Sequence, residues 1–451
     1  MLSASHRHVM AGLLLLLALA GCATQGGPSV ANSDTDASSS AGHATAGDHQ
    51  VKPYPFKNAL TATVLGTPDG LKAQLPKKAN FSIRTLKPLV DRKTPPTLRY
   101  ARPLQYLLAA QDHPAPLAFV IAGTGDSALS SKCVLLSRAL YQVGYSVACL
   151  PSPTSVTFML GAAKYPVPGR MKTDVADLYR MMQAVRDDLS GDVDITGYSL
   201  TGWSLGATQA AFLAKLDQQR GVFGFQHVLL LNPAVNVWDS VDRMDVLLKR
   251  NLPGGFDALP NFLAEVLGNI QQSEGQGQPL RFNEDVLYRA YENGTFDKKD
   301  IGAIVGLAFR LSLANMAFAA DVITHSDVIV PENVKLGPYD SLGVYFRRSF
   351  RMSFSDYINQ LLVPYWNRDG RHVSKSELIS EADMHTIAPF LASDKHMAVF
   401  TNADDPILDA DEVGFLRRTF GNRARIRPHG GHLGNLSYKK TIHALQDYFT
   451  Q

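Results

Sequence analysis

Leu117–Ala122 is a short continuous apolar run, the pattern of a strand buried on both faces. Tyr145–Leu150, Tyr198–Trp203 and Phe225–Leu231 follow as further strand-like segments, and stretches of helical periodicity at Ala128–Val143, Lys172–Leu189 and Leu205–Leu216 fill the gaps. Buried strands alternating with helices predict a parallel, doubly wound α/β sheet. Upstream the pattern changes to alternation, at Leu60–Val64, Thr97–Ala101 and Leu104–Leu108, with turn signals such as Thr67-Pro-Asp-Gly70 between them. These predict an antiparallel start to the sheet. After Asn232-Pro233 the rhythm breaks, and residues 235–394 show helical periodicity and loops without a buried strand. Strand patterning resumes at His396–Thr401 and Ala424–Arg427, and an amphipathic helix, Tyr438–Phe449, closes the chain. Residues 51–234 and 395–451 are therefore expected to form one sheet, with 235–394 a helical insertion between two of its strands.

Within the insertion, Ile301–Ala320 is almost wholly apolar and long enough to raise a membrane span. Arg310 and Asn315 lie inside it and Gly302 and Gly306 weaken it, which favours a buried helix. The N-terminus is different: Arg7 precedes an apolar run, Val9–Ala20, too short to span a bilayer and suited to the hydrophobic region of a signal peptide. It ends Leu19-Ala-Gly-Cys22, which resembles the lipobox of bacterial lipoproteins, so residues 1–21 read as a leader and Cys22 as the lipidated first residue. Ala23 rather than aspartate follows, which by the same resemblance implies the outer membrane of a Gram-negative envelope, facing the periplasm. Residues 22–50 are Gly, Ser, Ala, Thr and Asp without hydrophobic periodicity and read as a flexible tether. The other two cysteines, Cys133 and Cys149, are either a disulfide of an oxidising compartment or two small buried residues.

Composition adds little. The 451 residues are 45% hydrophobic and 19% charged with a net charge of +3, and no Lys/Arg run points to nucleic acid. The chemistry concentrates in Gly202-Trp-Ser-Leu-Gly206, a G-x-S-x-G pentapeptide between the strand ending at Trp203 and the helix starting at Leu205. A serine on a sharp strand-to-helix turn presents its oxygen clear of the sheet, and the glycines remove side chains that would clash across the turn. The helix N-terminus favours negative charge beside it. Ser204 is the expected nucleophile. Ser199 competes, but Thr201 replaces the second glycine there and a β-branched residue resists the turn.

A serine nucleophile needs a base and a group to orient that base, both at the C-terminal ends of later strands. Asn402-Ala-Asp-Asp-Pro406 follows one resumed strand and His429-Gly-Gly-His-Leu-Gly434 the other. The elbow, the aspartate before proline and the glycine-flanked histidine resemble the α/β-hydrolase superfamily in its esterase-like branches, over about residues 55–235 and 395–449. The order Ser, Asp, His along the chain is the order that fold uses. The resemblance implies Asp405 as the acid, with Asp404 as alternative, and His432 rather than His429 as the base. Such enzymes often carry His-Gly after the third strand; this chain has Ala122-Gly-Thr-Gly125, so Leu205 with Thr124 or Gly125 is the expected set of oxyanion-hole amides.

The expected function is a lipid-anchored serine hydrolase acting on an acyl ester, its partners an acyl-containing small molecule or lipid and the membrane. A peptidase, thioesterase or acyltransferase would use the same residues, and a non-catalytic envelope-binding protein could keep the fold. No cofactor or metal is expected: the histidines lack spacing such as H-E-x-x-H, and no G-x-G-x-x-G or Walker pattern opens a helix. Placed after a strand C-terminal end, the insertion is expected to cap Ser204, with Phe309–Phe318 and Ser341–Phe346 lining an acyl pocket. Arg347, Arg348 and Arg351 would there attract an anionic group or form a solvated basic face.

Overall fold

The computed structural model describes residues 52–252, 254–274, 291 and 298–451. The expected leader, Cys22 and the whole of the expected tether lie outside them. The sheet has eight strands: β1 (Phe81–Thr85), β2 (Gln105–Ala109), β3 (Ala115–Ile121), β4 (Ser146–Leu150), β5 (Ile195–Trp203), β6 (Val228–Leu231), β7 (Met397–Asn402) and β8 (Ala424–Arg427). They lie in the order β1-β2-β4-β3-β5-β6-β7-β8. β2 is antiparallel to both β1 and β4, and every pairing from β4 through β8 is parallel.

Side chains alternate across the sheet, so one strand feeds two cores. Phe119 and Ile121 pack with α4 (Met171–Asp188) and α5 (Leu205–Arg220), whereas Ala118 and Val120 pack with α2 (Ser131–Tyr141) and the C-terminal helix Lys439–Phe449. That two-sided burial explains why β3 reads as an unbroken apolar run. Cys133 on α2 and Cys149 on β4 form a disulfide within the second core.

Two expectations fail at the N-terminal side. Leu60–Val64 is not a strand but lies in helix α1 (Ala59–Leu65), capped by the Asn58 side chain accepting from the Thr61 amide. The alternation Leu-Thr-Ala-Thr-Val suits either form; burial of Thr61, Ala62 and Leu65 on one helical face decides it. Thr97–Ala101 contains only the end of a 3-10 turn, Pro96–Leu98, because successive prolines fix φ and withhold amide donors. β1, conversely, carries no strong pattern: it is an edge strand with much of its length exposed.

Among the described residues of the insertion there is no strand. Its longer helices are α6 (Val237–Asn251), α7 (Gly255–Glu274), α8 (Lys298–Thr324) and α9 (Gly343–Arg351), followed by shorter ones to α10 (Lys375–Glu381). The two arms meet where Asn236 bridges Asp383 and the Met384 amide donates to Val235. Helix α8 is long and apolar enough to cross a membrane, but protein covers it. Ile304, Leu307, Leu311 and Ala314 pack with α1, α6 and α7, and Leu313, Ala317 and Ala320 pack with residues 354–378.

Candidate active site

The parallel strands all end on one edge, and the residues expected to react lie there. β5 delivers Trp203; Ser204 follows at φ 56°, ψ −128°, and α5 begins at Leu205. Positive φ at a non-glycine residue is strained, and here neighbours enforce it. A Cβ on Gly202 would land on the Gly206 carbonyl, and one on Gly206 would land on the carbonyls of Ile121 and Ala122. Both glycines are thus required by contact with β3 and with the helix start.

His432 Nε2 lies 2.9 Å from Ser204 Oγ, and its Nδ1 lies 3.0 and 3.1 Å from the two carboxylate oxygens of Asp405. A carboxylate only accepts, so Nδ1 carries the proton and Nε2 presents its lone pair to the serine hydroxyl. Asp405, 2% exposed, also accepts from Asn232 Nδ2 at 2.7 Å and from the Ile407 amide at 3.1 Å. Asp404 points elsewhere: it accepts from the amides of Gly430 and Gly431 at 3.3 and 2.9 Å and lies 3.5 Å from His429 Nδ1. It anchors the loop that carries His432. Ser199 is fully buried within β5, away from the strand's end.

That loop rides on α1, the segment whose sequence alternates like a strand. The His432 amide donates to Thr63 Oγ1 at 2.9 Å, and Thr63 Oγ1 donates to the Ala59 carbonyl at 2.7 Å. Gly431 has φ 56°, and a Cβ there or on Gly434 would strike the Ala59 or Ala62 carbonyl. Asn402 and Asn435 brace the loop from below: Asn402 Nδ2 donates to the Gly431 carbonyl at 2.8 Å and Asn435 Nδ2 to Asn402 Oδ1 at 2.6 Å. Thr63 does not stand out in the sequence, where Asn58 as a helix cap is the available signal, and Asn232 is marked only as closing a strand.

The turn after β3 lies beside the elbow, because Ile121 pairs with Gly202. The amides of Thr124 and Leu205 make no hydrogen bond among the described residues. The Gly125 amide, by contrast, donates to Thr154 Oγ1 at 2.7 Å. Among the described residues no cluster of three or more His, Cys, Asp or Glu is placed to hold a metal ion.

No known family profile matches the chain, and no curated protein does. Solved structures do resemble it. Fungal esterases from Rhizomucor miehei align at 12% identity over 84% of this chain and 84% of theirs, with a TM-score of 0.41. An esterase from Pyrobaculum calidifontis aligns at 15% identity over 82% and 86%, TM-score 0.36, and the thioesterase domain from the curacin biosynthetic pathway at 13% over 77% and 95%, TM-score 0.34. What decides the fold is the chain's own arrangement: a mostly parallel sheet wound on both faces, a serine at its strand–helix elbow, and acid and histidine following later strands. This is an α/β-hydrolase fold.

One ring of the insertion lies near the site. The Phe309 ring of α8 lies 6.3 Å, centre to centre, from the His432 imidazole, and Ser204 and His432 are each only 8% exposed. Several other side chains of Phe309–Phe318 and Ser341–Phe346 pack elsewhere: Leu313, Phe318, Leu342 and Tyr345 join an apolar cluster that also takes in Leu98, Val156 and Met159, and Phe346 packs on Phe350. Arg348 donates to the Ile329 carbonyl and Arg351 pairs with Asp257.

Proposed function

We propose that this chain is a serine hydrolase that cleaves an acyl ester, with Ser204 as nucleophile, His432 as general base and acid, and Asp405 as the group that orients His432. The observation that carries this reading is the 2.9 Å approach of His432 Nε2 to the oxygen of a serine held at φ 56°. His432 Nε2 takes the Ser204 proton as Oγ bonds to the acyl carbon, and the carbonyl oxygen becomes an oxyanion. The amides of Leu205 and Thr124 face that charge, each donor worth ~3 kcal/mol in the transition state. Asp405 stabilises the imidazolium, while Asn232 and the Ile407 amide keep the carboxylate from rotating away. The imidazolium then protonates the leaving alcohol oxygen as the carbon–oxygen bond breaks. Water, deprotonated by the same Nε2, attacks the acyl-enzyme, and the proton returns to Ser204 as the acid leaves.

The apolar Phe309 ring over His432 favours an apolar acyl group and keeps water from the imidazole. The wider assignment is a lipoprotein of the outer membrane, anchored through Cys22 and facing the periplasm, supported by Leu19-Ala-Gly-Cys22 after the apolar run. Acyl chains contribute about 0.8 kcal/mol per buried CH₂, so two or three hold the protein stably. The decisive experiment for the site is labelling with a fluorophosphonate probe and mapping the adduct. Modification of Ser204 in wild type, absent from Ser204→Ala, supports the reading; labelling that persists in the variant or maps to Ser199 removes it. A panel of acyl esters, amides and thioesters then separates esterase from peptidase and thioesterase, and mass spectrometry of the mature N-terminus tests Cys22.

A further inference from the structure

Asp126 is 3% exposed, and its Oδ1 has no hydrogen-bond partner among the described residues. A half-satisfied carboxylate in a sealed site costs the fold more than an apolar side chain of the same size. Its other oxygen, Oδ2, accepts from Trp203 Nε1 at 3.1 Å. Trp203 is the last residue of β5, immediately before Ser204. Asp126 is also the fourth residue of the tight turn that carries Thr124: its amide donates to the Gly123 carbonyl at 3.0 Å, and Gly125 has φ 74°, the type II pattern. The indole is pressed against this turn, since a Cβ on Gly123 would come within 2.8 Å of Trp203 Nε1. On its far side the turn is tied to the segment after β4, through Gly125 to Thr154 and through the Ser152 amide to the Asp126 carbonyl at 3.0 Å.

We propose that Asp126 is a positioning residue for the oxyanion hole: by accepting from the Trp203 indole it holds the Thr124 amide at a set distance from the Leu205 amide across the elbow. The inference rests on the serine-hydrolase reading above. The two amides come from different strands, β3 and β5, and both must face one oxygen atom. Backbone pairing ends at Ile121 and Gly202, short of both donors. The Asp126–Trp203 bond extends the link between the two strands beyond that last pair. A donor misplaced by about 1 Å can cost ~10²-fold in rate without changing how substrate binds.

The test measures kcat and KM for a p-nitrophenyl ester in Asp126→Ala, Asp126→Asn and Trp203→Phe, with Ser204→Ala alongside, each checked for native circular dichroism. Asp126→Ala and Trp203→Phe are expected to lose about tenfold to 10²-fold in kcat with KM changed less than about threefold. Asp126→Ala combined with Trp203→Phe should be no worse than the poorer single variant, because both remove one bond. Asp126→Asn keeps an acceptor oxygen and should stay within about threefold of wild type. Wild-type kcat in folded Trp203→Phe, a loss confined to KM, or Asp126→Asn as impaired as Asp126→Ala overturns the proposal. If Asp126→Ala does not fold, Asp126→Asn and Trp203→Phe still decide it. Should Ser204→Ala retain activity, the reading of the site itself falls; a dead Ser204→Ala beside a fully active Trp203→Phe removes only the role of Asp126.

Discussion

Along the sheet edge, the groups around Ser204 are held by directional bonds: His432 by Thr63 and Asp405, and Asp405 by Asn232 and the Ile407 amide. Over the same site the insertion contributes the apolar face of Phe309, and its own cohesion comes from clusters on either side of α8. One half-buried ion pair lies inside it, where Arg310, next to Phe309, pairs with Asp245 of α6, which also accepts from the Phe354 amide; others tie it to the sheet side, Glu381 to Arg170 and Arg243 to Glu412. Chemistry needs fixed angles, so its residues sit where β-strand ends and short loops define direction. Substrate selection needs shape and dryness, which a packed helix supplies without hydrogen bonds to the reacting groups. The two regions should therefore fail differently when perturbed.

The sharpest contrast comes from the proposed nucleophile. Ser204→Ala should lower kcat by about 10⁴- to 10⁶-fold, because triad members act as a unit. Thermal unfolding should barely move, and steady-state rates with a circular-dichroism melt check both. The insertion should respond in the opposite sense. Arg310→Ala strands Asp245, 13% exposed at its side chain, and should cost about 3–5 kcal/mol of stability. A small fluorophosphonate should still label Ser204 in the folded fraction; loss of labelling there would show that the insertion builds the site as well as covering it.

The sheet side also contains a pH-dependent term. Burial pushes the Asp126 carboxyl up from an ordinary 3.8 to about 6, against the attraction of Lys132 and the Trp203 hydrogen bond. The folded protein thus binds a proton that the unfolded chain has released, so this group's contribution to stability falls as pH rises from about 4 to about 6. At neutral pH the cost is roughly 3 kcal/mol. Asp126→Asn should remove that slope in urea titrations across the window; an unchanged slope would mean that Asp126 titrates like an exposed carboxyl.

Thr63→Ala removes the acceptor for the His432 amide and should cost about 1–3 kcal/mol, with a fall in kcat as the loop loosens. Phe309→Ala should have the smallest effect on the chemistry, a shift in acyl preference, together with a loss of stability from its packing against two apolar clusters. On long-chain esters kcat/KM should drop about tenfold relative to short ones, the amount expected for lost apolar contact. An equal effect on all chain lengths would separate Phe309 from the acyl pocket.

Sequence alone determined those features whose cause is local. A glycine two residues either side of Ser204 marks a turn that only small residues allow, and runs such as Leu117–Ala122 mark strands buried on both faces. Asp405 and His432 were legible because each follows a strand whose pattern is clear. Tertiary structure decided whatever depended on a partner distant in the chain. Asp404 and Asp405 are neighbours of one type, and only the position of the loop at 429–434 assigns one to the loop amides and the other to His432. The Gly125 amide is taken up by Thr154, 29 residues on. The pairing of Cys133 with Cys149 required a helix and a strand to bring their Cα atoms within 5.9 Å. Leu60–Val64 alternates every second residue, yet docking beneath the histidine loop and against α8 makes it a helix. Periodicity records which faces are apolar; it does not record what will cover them, and at this site the covering contacts choose the conformation.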